Sequence, residues 1–361
     1  MSGFKDDVDF SEKFANEFKN ARNKIKKPNI LVLGGTGAGK SSLVNATFGE
    51  ALAGVGAGSP VTKGIEKYEN ELIRIFDSEG YESGEEAQKR YKEQVVDFVK
   101  TRAPQLDDQV HLAWYCISVA NHRVFDIDIK TINEIVASKI PVAVIMTQVD
   151  QVSEDDSQTL IAVVKDKCPK VTVFEFSTDA SVGLTVEPLI TWAHNHLDES
   201  LKEGFISSTR SGIELKRKQS YTVIAQHVAS AATIAASPIP FSDAPLLVGN
   251  QITMIARLAS IWNMPSIKSL TAGGIFSQLI AQLGRSLAGN LIKFLPGGGS
   301  VVGAAINASI ASAITGAVGY AVTEVCERVV EDDLNGVVKD IAEYFDSNLI
   351  SELIKAKMKG G

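Results

Sequence analysis

Residues 34–41 read Gly34-Gly35-Thr36-Gly37-Ala38-Gly39-Lys40-Ser41, a glycine-rich stretch that fits the pattern GxxxxGK[ST]. The apolar run NILVL (29–33) precedes it, and SSLVNATFG (41–49), which has a helical pattern, follows it. Glycines let the backbone turn tightly, so that successive N–H groups can point at phosphate oxygens. The start of the following helix adds its dipole at the same place. The stretch therefore predicts a phosphate-binding loop and a bound nucleotide.

Two residues of the loop have specific expected roles, and the others are expected to bind phosphate. Lys40 is expected to neutralise the β- and γ-phosphates, and the hydroxyl of Ser41 is expected to ligate Mg²⁺. The predicted phosphate-binding residues are Gly35, Thr36, Gly37, Ala38, Gly39, Lys40, Ser41 and Ser42.

The pattern after the loop alternates between strands and helices. Apolar runs predict strands at ELIRIF (71–76), VHLAWYCISV (110–119), PVAVIM (141–146) and VTVFEF (171–176). Polar amphipathic segments predict helices at 41–50, 84–101, 127–139, 155–167 and 186–198. This order predicts an α/β fold: a three-layer, doubly wound, mostly parallel sheet of the P-loop NTPase kind, followed by an all-α domain.

Composition limits the remaining functions. The 361 residues carry a formal net charge of −7, which makes a general nucleic-acid partner unexpected. The scattered cysteines Cys116, Cys168 and Cys326 are expected to be buried small hydrophobic residues, and His194 and His196 lack the spacing of a zinc site on a helix. The acidic start lacks the apolar core of a signal peptide, so a cytoplasmic protein is expected.

Three segments are predicted along the chain. Residues 1–27 are expected to form an amphipathic helix, in which Asp9 and Glu12 have the form of a capping box. Residues 28–200 are expected to form the nucleotide domain, and residues 201–361 an Ala- and Gly-rich helical domain. ESLKEGFISSTRSG (199–212) is interpreted as a linker entering a helix.

Three further groups of residues concern the base and the metal. Asp150, at the end of Met146-Thr147-Gln148-Val149-Asp150, can accept from both N1–H and the exocyclic amine of guanine, or it can simply cap the next turn. Asp77, in Asp77-Ser78-Glu79-Gly80, can hold a Mg²⁺-bound water, and the N–H of Gly80 can approach a γ-phosphate. Thr62, in the glycine-rich loop GVGAGSPVTKG (54–64), is the candidate for a second Mg²⁺ contact.

Together, GGTGAGKSS, Thr62, DSEG, TQVD and Ser177-Thr178 resemble the five sequence boxes of translation-factor-class GTPases, and most of all those of Era-like (HSR1-related) bacterial GTPases. Immunity-related GTPases are more loosely similar. The resemblance implies GTP or GDP with Mg²⁺, and places Thr147, Gln148, Asp150, Ser177 and Thr178 around the base. It implies direct roles in hydrolysis for Lys40, Thr62 and Gly80. If TQVD does not recognise guanine, the alternative hypothesis is an ATP-driven protein.

One departure from the resemblance concerns hydrolysis. Many such enzymes place Gln after DxxG to orient the attacking water, whereas this chain has Tyr81. The resemblance therefore implies slow intrinsic hydrolysis, of order 10⁻⁴ to 10⁻² per second, and a catalytic group supplied from elsewhere. A homodimer or a nucleotide-dependent oligomer would supply it.

The second half supports two readings. Residues 294–323 carry no charge and are long enough to span a bilayer, but their small and polar residues also suit a soluble helical bundle. Stretches such as PIPFSDAPLLVGN resemble the helical domain of unknown function (family 697) that accompanies Era-like GTPases. The expected functions are a regulatory GTPase whose loops act on the helical domain, or a self-assembling membrane-associated scaffold of the dynamin-like or immunity-related type. The second would place the protein at a membrane, peripherally or through an inserted hairpin.

Overall fold

The computed structural model describes residues 3–49, 59–62, 64–82, 84–103, 107–236, 243–264, 301–337, 339, 341–344, 352 and 356. These residues form two compact units. One comprises Ile25–Gly212, and the other combines Met1–Lys24 with Ile213–Gly361.

The unit Ile25–Gly212 is built on one sheet that contains all the described strands. The strands are β1 (Asn29–Gly34), β2 (Ser59–Thr62), β3 (Ile65–Glu69), β4 (Arg74–Ser78), β5 (Leu112–Ser118), β6 (Val142–Thr147) and β7 (Thr172–Phe176). Their order across the sheet is β2-β3-β4-β1-β5-β6-β7. The strands β4, β1, β5, β6 and β7 run parallel, which confirms the predicted sheet.

Helices cover both faces of this sheet. They are α2 (Lys40–Phe48), α3 (Glu85–Arg102), α4 (Asp126–Ala137), α5 (Glu154–Lys167), α6 (Glu187–His196) and α7 (Glu199–Ser208). On one face, side chains of α3, α4 and α5 such as Phe98, Ile132 and Leu160 join the core with strand residues. On the other face, Phe48 of α2 stacks on Trp114 of β5 at 5.6 Å between ring centroids. The predicted three-layer α/β fold is therefore present.

Two local predictions in this unit are wrong. Residues 199–212 are not simply a linker, because Glu199–Ser208 is a helix whose Phe205 and Ile206 are buried and whose Phe205 ring packs edge-on against Phe48 at 6.2 Å. The predicted glycine loop 54–64 contains strand β2, which pairs antiparallel with β3. Residues 54–58 and 63 of that loop lie outside the described residues.

The other unit is helical. Its described helices are α1 (Gly3–Asn23), α8 (Ile213–Ala235), α9 (Asp243–Ile261), α10 (Val301–Leu334) and α11 (Ile341–Tyr344). The predicted capping box at Asp9 is wrong, because α1 already begins at Gly3 and Asp9 lies inside it. Phe14 of α1 joins the apolar core of this unit with residues of α8, α9 and α10.

The helix α10 is held by close packing of small residues. A Cβ atom on Gly319 would lie 2.6 Å from Cγ1 of Ile224 on α8, so the two helices approach through this glycine. By length and composition, Ala308–Leu334 is the one described helix that is able to cross a membrane, and 67% of its most apolar window is buried inside the protein. The charge-free residues 294–300 lie outside the described part of the chain.

Candidate functional site

The predicted site residues follow strands that end at the same edge of the sheet. The register aligns Gly34 of β1 with Cys116 of β5, and Ser118 of β5 with Thr147 of β6. Thr147 in turn aligns with Phe176, which is followed by Ser177. Ligands of open α/β sheets bind at this carboxyl edge, because the loops that leave parallel strands meet there. The sheet therefore brings the phosphate loop, TQVD and Ser177 to one edge.

The phosphate loop depends on its glycines. Gly34, Gly37 and Gly39 all have positive φ angles, of 136°, 75° and 78°. A Cβ on Gly34 would lie 2.2 Å from the carbonyl oxygen of Cys116, so only glycine fits there. Gly39 precedes the first residue of α2 in the left-handed conformation. Helix α2 consequently begins at Lys40, directly after the loop, as the sequence predicted.

The ammonium of Lys40 lies inside the loop. Its Nζ donates to the carbonyl oxygens of Gly34 at 3.3 Å and Gly35 at 3.1 Å. Burial lowers the pKa of Lys40, and the nearby carboxylate of Asp77 opposes this shift. A buried cation surrounded by backbone groups is well suited to bind a phosphate. Ser41 and Ser42 follow it and are exposed on the first turn of α2.

Asp77 provides the carboxylate expected beside Lys40. Burial raises the pKa of Asp77 to about 6, although the charge of Lys40 acts in the opposite direction. Within the part of the chain that the structure describes, its buried Oδ1 has no hydrogen-bond partner. A buried carboxylate oxygen of this kind and a hydroxyl such as that of Ser41 are hard oxygen ligands, which Mg²⁺ prefers. The residues present therefore fit a Mg²⁺ ion.

Gly80 and Tyr81 lie directly on the phosphate loop. The carbonyl oxygen of Tyr81 accepts from the backbone N–H of Thr36 at 3.3 Å and from its hydroxyl at 3.4 Å. Gly80 has a φ of 86°, and a Cβ there would lie 2.7 Å from the nitrogen of Thr36. The segment Asp77–Gly80 therefore lies beside the phosphate loop, as its sequence suggested.

Tyr81 also contacts a residue that the sequence did not single out. Its hydroxyl donates to Oδ1 of Asp128 at 2.6 Å, and the hydroxyl of Tyr115 donates to the same oxygen at 2.9 Å. Asp128 is 1% exposed, and burial raises its pKa against the effect of these hydrogen bonds. Tyr81 and Asp128 are 47 residues apart, and no local pattern in the sequence connects them.

Thr147 and Gln148 support the phosphate loop. The buried hydroxyl of Thr147 donates to the carbonyl oxygen of Ala38 at 2.9 Å. Gln148 has a positive φ of 59°, and its Nε2 donates to the carbonyl oxygen of Gly37 at 3.3 Å. Its Oε1 accepts from the hydroxyl of Ser118. These two side chains join the end of β6 to the loop at β1.

Asp150 is exposed and is held by its neighbours. It accepts from the hydroxyl of Ser177 and from the amide of Gln151. The hydrogen bond from Ser177 lowers the pKa of Asp150 most, and that from Gln151 adds to the effect. Ser177 is itself fixed, because its Oγ accepts from the N–H of Asp179 at 2.9 Å, whereas Thr178 beside it is exposed. An ionised, oriented carboxylate is the group that guanine recognition needs.

Thr62 lies at the end of strand β2, opposite Ile65 of β3. The hairpin that it belongs to reaches DSEG, because the N–H of Glu79 donates to the carbonyl oxygen of Gly64 at 3.0 Å. This contact places the backbone of the hairpin beside the Asp77–Gly80 segment. The role of Thr62 at Mg²⁺ stays a prediction.

Comparison with known families matches the segment that carries the phosphate loop and the residues up to Gln148, whereas Asp150 and Ser177 lie beyond it. Residues 29–148, about a third of the chain, match the family model described as "50S ribosome-binding GTPase" (MMR_HSR1). That segment is therefore similar to a GTPase domain of the HSR1-like kind. A comparison with curated proteins finds no match to the chain. The match ends at residue 148, so the resemblance of the second half to family 697 stays a prediction.

Several solved structures are similar to part of the chain. A probable GTP-binding protein engB is 21% identical, with a TM-score of 0.36 over 48% of this chain and 99% of that one. Elongation factor SelB from Methanococcus maripaludis with GppNHp is 16% identical, with a TM-score of 0.34 over 48% of this chain and 35% of that one. Era from Aquifex aeolicus bound to GDP·AlF4⁻ is 18% identical, with a TM-score of 0.32 over 48% of this chain and 58% of that one.

Proposed function

We propose that this protein binds GTP and GDP through the site at the carboxyl edge of its sheet and hydrolyses GTP slowly. The observation that supports this most is the convergence of three groups on that edge. They are the buried ammonium of Lys40 within its glycine loop, the carboxylate of Asp77 beside it, and the oriented carboxylate of Asp150. The first two suit a triphosphate with a metal ion, and the third suits guanine.

Different residues of the site would bind the phosphates, the base and the metal ion. The N–H groups of Gly35–Ser41 and the ammonium of Lys40 bind the phosphates, and Asp150 accepts hydrogen bonds from the base. Ser41, Asp77 and Thr62 would hold Mg²⁺, which when bound neutralises charge on the β- and γ-phosphates. Tyr81 does not take the place of a water-orienting Gln, because its hydroxyl is bonded to Asp128. Hydrolysis is consequently slow, with a catalytic group added by a second copy or another partner.

The change between nucleotide states would reach the helical unit through the chain that leads to it. The phosphate loop begins α2, and the carbonyl oxygen of Thr47 near the other end of α2 accepts from the N–H of Arg210 at 2.7 Å. The N–H of Gly212 donates to Glu187 at 2.7 Å, one residue before α8 begins. A shift of α2 would therefore pull on the start of α8. This coupling defines the proposed regulatory role in the cytoplasm.

A second candidate is a membrane-associated scaffold whose assembly depends on the nucleotide. The length and apolar composition of Ala308–Leu334 favour it. Flotation with liposomes, with and without GTP, tests this candidate. Protein that stays at the bottom of the gradient in both conditions contradicts it.

Fluorescence titration with mant-GDP and mant-ADP tests the main proposal. We expect mant-GDP to bind at least about tenfold more tightly, because adenine cannot offer Asp150 two donors. Equal affinity for the two nucleotides would contradict the choice of guanine. Phosphate release from GTP, measured at several protein concentrations, tests the requirement for a second copy: specific activity that rises with concentration supports it.

A further inference from the structure

Tyr81 is anchored at both of its ends, by its backbone and by its side chain. At one end its carbonyl oxygen accepts from Thr36 of the phosphate loop at 3.3 Å. At the other end its hydroxyl donates to the carboxylate of Asp128 on α4 at 2.6 Å. Tyr81 is half-buried, and the proposed hydrolysis uses neither of these bonds.

The surroundings keep the ring in one place. The Tyr81 ring packs edge-on against Tyr91 at 5.4 Å and against Phe125 at 6.2 Å. On its loop side, a Cβ on Gly35 would lie 3.3 Å from the ring of Tyr81, so the ring rests on the phosphate loop. The ring therefore lies between α3, α4 and the loop.

The carboxylate that accepts from Tyr81 is also fixed. Asp128 is buried, and its second oxygen accepts from the N–H of Phe125 at 3.0 Å. Its Oδ1 accepts hydrogen bonds from the hydroxyls of both Tyr115 and Tyr81. Tyr115 lies on β5, which is between β1 and β6 in the sheet. Asp128 thus connects Tyr81 to the rigid part of the domain.

We propose that Asp128 and Tyr81 are positioning residues that hold the N–H of Gly80 at the phosphate loop before a triphosphate binds. Gly80 precedes Tyr81 directly and touches Thr36, so fixing Tyr81 fixes Gly80. The N–H of Gly80 would donate to the γ-phosphate, which GTP has and GDP lacks. The pair therefore raises affinity for GTP relative to GDP. This inference rests on the proposed binding of guanine nucleotides.

The test compares Tyr81→Phe with Tyr115→Phe. Each change removes one hydroxyl donor to the same oxygen of Asp128. After Tyr115→Phe, the hydroxyl of Tyr81 still donates to Asp128, and the N–H of Phe125 still holds its second oxygen, so only Tyr81→Phe releases the segment beside the loop. We expect Tyr81→Phe to weaken binding of GppNHp about three- to tenfold and to lower kcat for GTP, while affinity for GDP changes less than about twofold. We expect Tyr115→Phe to leave the ratio of the two affinities within about twofold of the wild-type value.

Hydrogen–deuterium exchange of nucleotide-free protein gives a second readout. Tyr81→Phe should speed exchange in residues 34–40, which include the N–H of Thr36, and Tyr115→Phe should not. The inference is overturned if the two variants change the affinity ratio equally, if neither changes it, or if Tyr81→Phe raises affinity for GppNHp. Absence of GDP binding by the wild-type protein contradicts the proposed function itself, whereas normal GDP binding with an unchanged ratio contradicts only this inference.

Discussion

Gly80 lies against the backbone of Thr36 so closely that a Cβ atom on Gly80 would be 2.7 Å from the nitrogen of Thr36. The φ of Gly80 is 86°, in the region that glycine occupies at little cost. The positive φ and the close contact both occur at Gly80. The segment after β4 can therefore approach the phosphate loop only if residue 80 is glycine. This contact joins the two parts of the site that would meet the γ-phosphate.

Substitution of Gly80 by alanine should therefore cost more than backbone strain alone. We expect Gly80→Ala to lower the free energy of unfolding by about 2–4 kcal/mol, from strain and the clash together. Gly84→Ala is the matched control, because Gly84 also has a positive φ, of 123°, but its Cβ would meet nothing within 4 Å. It should cost about 1–2 kcal/mol, from backbone strain alone. Chemical denaturation measures both values, and equal losses would contradict the close contact.

Lys40 is expected to dominate phosphate binding. Lys40→Ala removes the buried ammonium, and we expect affinity for GDP to fall about 100-fold, as for loss of a strong charged hydrogen bond. Lys89→Ala removes an equal charge from an exposed position on α3 and should leave affinity unchanged. Titration with mant-GDP measures the affinities, and circular dichroism checks that both variants fold. A Lys40→Ala variant that binds GDP normally would show that the nucleotide lies elsewhere.

Asp150 is expected to select the base. Asp150→Asn should weaken GDP binding about 10- to 100-fold and improve binding of xanthosine diphosphate, because the amide can donate to the additional oxygen of xanthine. Asp155→Asn, at an exposed position in the first turn of α5, should change neither affinity. Competition against mant-GDP measures both nucleotides. The alternative that Asp150 caps the next turn is wrong, because Ser153 is the N-cap of α5 and Asp150 lies inside the turn Val149–Gln151. Unchanged preference in Asp150→Asn would contradict its role at the base.

Glu69 should make the stability of the unit Ile25–Gly212 depend on pH. Burial would raise the pKa of Glu69, but hydrogen bonds from Lys27, Lys67 and Arg74 outweigh it and lower the pKa to about 2. Since the folded-state pKa lies below the ordinary value, the stabilisation is complete above about pH 4.5 and is lost as pH falls towards 2.

We therefore expect Glu69→Gln to lower the free energy of unfolding by about 1–2 kcal/mol at pH 7, with a smaller difference from wild type at pH 3. The exposed Glu71 provides the control, and Glu71→Gln should have no measurable effect at either pH. Urea denaturation at the two pH values gives the result. A difference between Glu69→Gln and wild type that is the same at pH 3 and pH 7 would show that ionisation of Glu69 is not its source.

The sequence predicted those parts of the fold that depend on local pattern. The glycine loop at 34–39, Lys40 at the start of α2 and the apolar parallel strands each carry their own signal over a few residues. Helix α7 was missed because Gly204 and the serines around it suggested a linker. Its spacing of Leu201 and Phe205 was the available signal for a buried helical face. The pairing of β2 with β3 depends on contacts that a glycine-rich segment does not specify locally.

The sequence predicted the residues that would contact the nucleotide and Mg²⁺, but not the side chains that hold those residues in place. Lys40 and Asp150 follow the strands β1 and β6, and Asp77 was found from its position after the predicted strand 71–76, although it lies inside β4. The hydrogen bond from Tyr81 to Asp128 joins residues far apart in the chain, and so does the one from Gln148 to Gly37. Such pairs form only when the sheet aligns the loops, so one sequence alone does not reveal them. Tyr81 was identified as a departure, but its partner required the structure.

Calorimetric titration of the purified 361-residue chain with GDP and Mg²⁺ tests the central claim most directly. We predict one site per chain with GDP, and with ADP an affinity at least about tenfold lower. Absence of heat with both GDP and GTP over a range of temperatures, or equal affinity for ADP, would contradict the proposal that Lys40 and Asp150 bind a guanine nucleotide.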